Sequence, residues 1–248
     1  MAAPHLLVLW DIDHTLVNAG GLSTHLYGVV FAELFGRELP AVAPMAGRTD
    51  RAIILDTLTM AGIADPGAHV AGFIGGLSRE APAFGERVRR RGHALPGAAE
   101  ALAAVAALAG PPNGHAARAR QSVLTGNIRP LAEVKLGALG LHHHLDLDIG
   151  AYGDTHEVRA ELVHVARERA AAATGADFGG ESTVLVGDTP LDVAAALATG
   201  ARAVGVATGD YPEADLAAAG AHTVLRDLTD TPRVLAAVLG PQAGDGTW

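Results

Sequence analysis

The chain has 248 residues, no cysteine and a formal net charge of −9, a length that holds one large α/β domain or a core with a smaller insert. Disulfide frameworks and thiol nucleophiles are excluded. The acidic balance argues against nucleic acid as a partner, because phosphate backbones are held by clustered Lys and Arg.

The elements follow in chain order. An apolar run at 6–10 has the length of a strand buried on both faces, too short for a signal-peptide core or a membrane span. A soluble, cytoplasmic protein with no membrane partner is therefore expected. From 18 to 92 the pattern is mainly helical, with helices predicted over 24–35, 50–60, 68–76 and 78–91 and punctuated by Pro40, Pro44, Gly47, Pro66 and Gly67. Beyond Leu95-Pro96-Gly97, strands at 122–124, 145–149, 183–186, 203–206 and 223–225 alternate with Ala-rich helices at 98–108, 131–139, 159–173, 191–198 and 213–219. Such alternation implies an α/β fold with a doubly wound, Rossmann-like parallel sheet. The core would comprise residues 1–17 and 93–248, and an α-helical cap domain, 18–92, would be inserted after the first strand. Pro111 to Gly114 reads as a loop, and the Gly- and Pro-containing tail after Leu239 is expected to fray.

Three predicted strands end in polar residues suited to one site. The first leads into Asp11-Ile12-Asp13-His14-Thr15, and ligands of parallel sheets bind beyond the carboxyl ends of the strands. Period-two geometry points Asp11 and Asp13 the same way, and two close carboxylates call for a cation or a shared proton. A second strand ends in Gly187-Asp188-Thr189-Pro190-Leu191-Asp192. Several oxygens could then converge on Mg²⁺, although Asp192 could equally serve the electrostatics of a helix N-terminus. A third ends in Thr125-Gly126-Asn127, where a hydroxyl and turn amides could hold a phosphate oxygen or simply make a turn.

With these motifs in this order, the chain resembles the haloacid dehalogenase-like (HAD) hydrolase superfamily, of the phosphoglycolate phosphatase-like type with an inserted helical (C1) cap. The resemblance implies a Mg²⁺-dependent phosphatase acting on a small phosphorylated metabolite through an aspartyl-phosphate on Asp11. Asp13 would be the general acid and base, kept partly protonated by a carboxylate neighbour. Thr125 would hold phosphoryl oxygens. Asp11, Asp188 and the Asp13 carbonyl would ligate the metal, assisted by Asp192. Thr15, Gly126 and Asn127 are expected on the substrate side. Apart from the resemblance, the Gly turn at Gly47 presents Arg48 just before a helix, either to contact a substrate anion or as a solvated Arg capping a surface turn. The third motif of the family carries a cation, usually Lys, and Arg159 stands in the matching place. Lys135 is the competitor, on a helix face expected to be solvated. His14 departs from the usual Gly.

A sugar-phosphate mutase of the same superfamily, a phosphate-accepting regulatory domain and a metal-binding scaffold without turnover remain alternatives. His142-His143-His144 reads as a His-rich loop, since consecutive side chains diverge.

Overall fold

The structure, a computed structural model, describes residues 5–108 and 118–240. Strand β1 (His5–Trp10) is buried along nearly its whole length because it has a parallel neighbour on each side. Its side chains divide by the period of two. Leu6, Val8 and Trp10 enter one apolar cluster, while Leu7 and Leu9 enter another on the opposite face.

The neighbours of β1 are β4 (Arg118–Val123) and β5 (Thr183–Gly187), followed by β6 (Arg202–Val206) and β7 (Thr223–Leu225), in the order β4-β1-β5-β6-β7. All of these pairings are parallel. On the face of Val8 and Trp10 lie α4 (Ala98–Ala107), α5 (Arg129–Ala138) and α9 (Thr231–Leu239). The other face carries α6 (Arg159–Thr174), α7 (Pro190–Ala198) and α8 (Glu213–Ala218). Helices on both faces make the expected doubly wound fold, and the chain turns to opposite sides of β1, opening a crevice at its carboxyl end.

Between β1 and α4 stand α1 (Leu22–Phe35), α2 (Asp50–Met60) and α3 (Pro66–Arg91). They share an apolar cluster of their own, joined to α5 through Ile128 and Leu131. At the root of this insert, β2 (Val17–Asn18) and β3 (His93–Ala94) pair as a short antiparallel ribbon.

Three expectations are corrected. The two helices predicted over 68–76 and 78–91 are one, α3, which runs through Pro82. The apparent break at Gly76 is a packing device: a Cβ there would press on Val30 of α1, so glycine lets the two helices approach. The segment 145–149 is not a strand but a turn after a short 3-10 helix, His142–His144. Leu145 and Ile149 plug opposite clusters, and the intervening Asp146 and Asp148 disfavour a strand. Helix α9 was not anticipated, although Asp230 caps it by accepting a hydrogen bond from the Arg233 amide at 3.1 Å. The loop at 111–114 and the tail beyond 240 lie outside the described residues.

Candidate active site

Asp11 continues the line of β1, its amide donating to the Val186 carbonyl at 2.8 Å. The chain then doubles back over Asp13, with the His14 amide on the Val17 carbonyl at 2.8 Å and both the Leu16 and Val17 amides on that of Ile12. His14 sits at φ 58°, in the left-handed region. That conformation explains why glycine suits the position, and histidine is among the side chains that tolerate it. The His14 side chain lines the cavity rim.

Asp188 follows β5, and Asp192 lies one turn into α7. Oxygens of Asp11, Asp188 and Asp192, all buried, lie within 4.8 Å of one another. Thr189 and Asp192 cap α7 reciprocally: Asp192 Oδ2 accepts from the Thr189 amide at 3.1 Å and from its hydroxyl at 2.7 Å, while the Asp192 amide donates to Thr189 Oγ1 at 3.2 Å. This leaves Asp192 Oδ1 facing the site with no aligned hydrogen bond. Glycine is required beside these acids, since a Cβ at Gly187 would overlap Asp192 and one at Gly209 would overlap Asp188. Thr15 is buried outside the cavity lining, its hydroxyl donating to Asp188 Oδ1 at 3.1 Å. It braces an acid, where a substrate contact was expected.

The two candidate cations both arrive, at different carboxylates. The Nη2 of Arg159, at the start of α6, is 2.9 Å from Asp11 Oδ1 and 2.6 Å from Asp192 Oδ1. It also donates to the Leu124 carbonyl at 3.3 Å. Lys135, expected on a solvated face, is instead fully buried beneath Asp13. Its Nζ donates to both Asp13 oxygens and to Asn127 Oδ1, each at 2.7 Å, and lies 5.7 Å from the Phe84 ring centroid. The misplacement has a physical cause. Lys135 lies on the apolar stripe of α5 with Leu131, Ala132 and Leu136, so a lysine four residues after Leu131 points inward, where burial is permitted by its partners. Its being the lone lysine of the chain was the available signal.

Thr125 is buried, with its Oγ1 accepting from the Asn127 amide at 3.2 Å and from Asn127 Nδ2 at 2.7 Å. Both lone pairs are thereby used, which leaves the hydroxyl proton to give to an oxygen in the cavity. Asn127 Nδ2 also donates to Asp13 Oδ2 at 2.7 Å. Gly126 admits the insert: a Cβ there would overlap the Arg48 carbonyl, and the Asp50 amide donates to the Gly126 carbonyl at 2.6 Å. Asp50 is gripped in turn by the Tyr27 hydroxyl at 2.5 Å and the Ile128 amide at 2.8 Å. This Tyr27–Asp50 pair went unrecognised in the sequence, because the two residues stand 23 positions apart and no local pattern joins them. The Arg48 guanidinium is committed to Asp56 at 2.5 Å and to the Pro44 carbonyl at 3.1 Å.

Burial and then the neighbouring Asp192 and Asp13 push Asp11 up to about 7, against the opposing pull of Arg159. Burial, with Asp11 and Asp192, pushes Asp188 up to about 9. Asp13 moves the other way. Burial would raise it, but the charge and hydrogen bonds of Lys135 and the Asn127 amide outweigh that, holding it below the usual carboxylate range. This corrects the expectation of a partly protonated Asp13. Its side chain is held by Lys135 and Asn127 yet remains 34% exposed at the cavity, with Oδ1 accepting from Lys135 alone.

A family model described as haloacid dehalogenase-like hydrolase matches residues 8–197. The chain belongs to the haloacid dehalogenase-like hydrolase family. The resemblance carried by the three acidic and hydroxyl motifs is thus borne out. Among solved structures, this HAD-like hydrolase is similar to a predicted phosphatase from Clostridium acetobutylicum, at 16% identity and TM-score 0.65, over 94% of this chain and 99% of that one. A Thermotoga maritima protein provisionally named a β-phosphoglucomutase shares 20% identity at TM-score 0.57, over 93% and 98% of the two chains. A HAD family hydrolase from Deinococcus radiodurans, with bound phosphate and sodium, shares 25% identity at TM-score 0.53, over 95% and 97%. No curated protein matches.

In this HAD-like hydrolase the donor set fits a hard divalent cation. Three buried carboxylates converge against one guanidinium, and Asp192 Oδ1 lacks an aligned donor. The acidic triad is the only such cluster of three or more His, Cys, Asp or Glu among the described residues, so the His142–His144 turn forms none. Among the described residues no helix is long and apolar enough to cross a membrane.

Proposed function

We propose that this HAD-like hydrolase is a Mg²⁺-dependent phosphatase of small phosphomonoesters that works through an aspartyl-phosphate on Asp11. The observation that carries this reading is the convergence of Asp11, Asp188 and Asp192 in a buried cluster short of positive charge, with Asp13 and Thr125 at the same cavity. Asp11, Asp188 and the Asp13 carbonyl, with Asp192 beside them, would hold Mg²⁺, which withdraws charge from the transferring phosphoryl group.

An Asp11 oxygen attacks phosphorus and the bond from phosphorus to the ester oxygen breaks. Asp13 gives its proton to the departing alkoxide. Asp13 is ionised in the free site, so this proton is taken up from solvent water as the phosphate approaches, its negative charge raising the carboxyl. Asp13 then takes a proton from water as that water attacks phosphorus, and the bond to Asp11 breaks to release inorganic phosphate. Thr125 donates to a phosphoryl oxygen, and Arg159 orients Asp11. The insert, residues 18–92, acts as a cap that excludes water from the crevice. The cysteine-free composition supports a reducing, cytoplasmic setting.

The test is phosphate release from p-nitrophenyl phosphate and a panel of phosphorylated metabolites, with Mg²⁺ and with EDTA. Asp11→Asn should lower kcat by at least about a thousandfold. Undiminished turnover in that variant removes Asp11 as the nucleophile.

A further inference from the structure

The floor of the cavity handles phosphate; the remainder must accept whatever the phosphate is attached to. The whole cavity measures about 400 Å³, near the small end of ligand sites. Leu26, Tyr27, Met45, Ile53 and Leu131 give the lining an apolar wall, and Ser23 and the exposed Thr24 add hydroxyls. The apolar members come from α1, α2, α5 and the loop before α2.

The lining cations are paired or stand beside the acidic cluster: His14 lies beside Gly209, next to Asp188, and the two arginines have partners. Of the lining arginines, Arg159 is held by Asp11 and Asp192, and Arg48 by Asp56 and the Pro44 carbonyl. Lys135, below the floor, is taken by Asp13 and Asn127. The Tyr27 hydroxyl donates its hydrogen bond to Asp50, and Asp50 is itself an acid at the wall. Asp210 adds another carboxyl at the exposed rim. A second anionic group on a substrate would leave water for an apolar, acid-bordered pocket with no unmatched cation among its described lining arginines.

Resting on the phosphatase reading above, we infer that the substrate is the monoester of a compact, uncharged and partly apolar alcohol, and that esters bearing a second phosphate or a carboxylate are rejected. The same wall disfavours a mutase, whose bisphosphorylated sugar needs a second anion site. It also separates this chain from hydrolysis of phosphoglycolate, despite the resemblance its motifs carry.

The experiment compares isobutyl phosphate with 2-phosphoglycolate, which has nearly the same shape but ends in a carboxylate. The full chain with Mg²⁺ is used, and p-nitrophenyl phosphate is run alongside. The expected kcat/KM for isobutyl phosphate is at least about a hundredfold higher. Met45→Lys places an ammonium at the apolar wall and should lower that ratio by at least about tenfold. Equal or better hydrolysis of 2-phosphoglycolate by the unmodified chain overturns the inference while leaving the phosphatase reading intact. A ratio unmoved by Met45→Lys overturns the assignment of selectivity to this wall. Release of phosphate from none of the three esters overturns both readings.

Discussion

Arg159 and Lys135 are both buried cations paired with carboxylates of the cavity, yet they shift those carboxylates in opposite directions. Arg159 reaches Asp11 and Asp192 through a single Nη2, and Asp11 still rises to about 7. Lys135 holds both oxygens of Asp13, shares it with Asn127, and lowers it. The difference lies in the number of acids each cation must serve. Asp11 has Asp192 and Asp188 as buried neighbours, so one guanidinium leaves the cluster deficient in positive charge. Asp13 has a cation and an amide largely to itself. One centre therefore has room for a further positive charge, as a bound cation would supply, whereas the other has its charge balanced by its own residues.

Removing the cations separately gives the largest expected effects. Arg159→Met should lower kcat about a hundredfold for aryl and alkyl phosphates alike, because attack by Asp11 is common to both. Lys135→Met should affect alkyl phosphates at least about tenfold more than p-nitrophenyl phosphate, whose leaving group needs little protonation. Equal losses on both ester types in Lys135→Met would break the distinction between the centres.

The metal-free protein should show the charge deficit as a dependence of stability on pH. Asp11 and Asp188 have folded values of about 7 and about 9 against an ordinary 3.8. Both favour the folded state while protonated, so their contribution is fully present below about pH 3.8 and is lost as pH rises through 7 and then 9. Mg²⁺ should raise Tm by several degrees more at pH 8 than at pH 5, measured by thermal unfolding with and without EDTA. A pH-independent Mg²⁺ shift would show that these carboxylates do not receive the ion.

The smallest effect belongs to Thr15, which touches only the acid side of the comparison. Thr15→Val should weaken Mg²⁺ activation a few-fold and cost about 1 kcal/mol in urea unfolding, through loss of its bond to Asp188.

Much of this site was legible because its motifs are local. Each acid or hydroxyl stands directly after an apolar run or, like Asp192, within the first turn of the helix that follows it, and the parallel sheet gathers such positions at one edge. Asp11, Asp13, Thr125, Asn127, Asp188 and Asp192 were all found in this way. The failures were residues whose partners are distant in sequence. Lys135 reaches Asp13 across 122 positions, Thr15 reaches Asp188 across 173, and Tyr27 meets Asp50 across the insert. Arg48 lines the cavity as expected, and the helix that follows supplies Asp56, which pairs with it.

The sequence by itself determined the doubly wound sheet, the place of the helical insert and the acids at the strand ends. Those features depend on the period of apolar residues and on local chain geometry, which are written in consecutive positions. Only the tertiary structure decided which cation serves which carboxylate, and which apolar side chains of the insert line the cavity. Those outcomes depend on which side chains packing brings within a few ångströms, where burial makes an electrostatic partner obligatory.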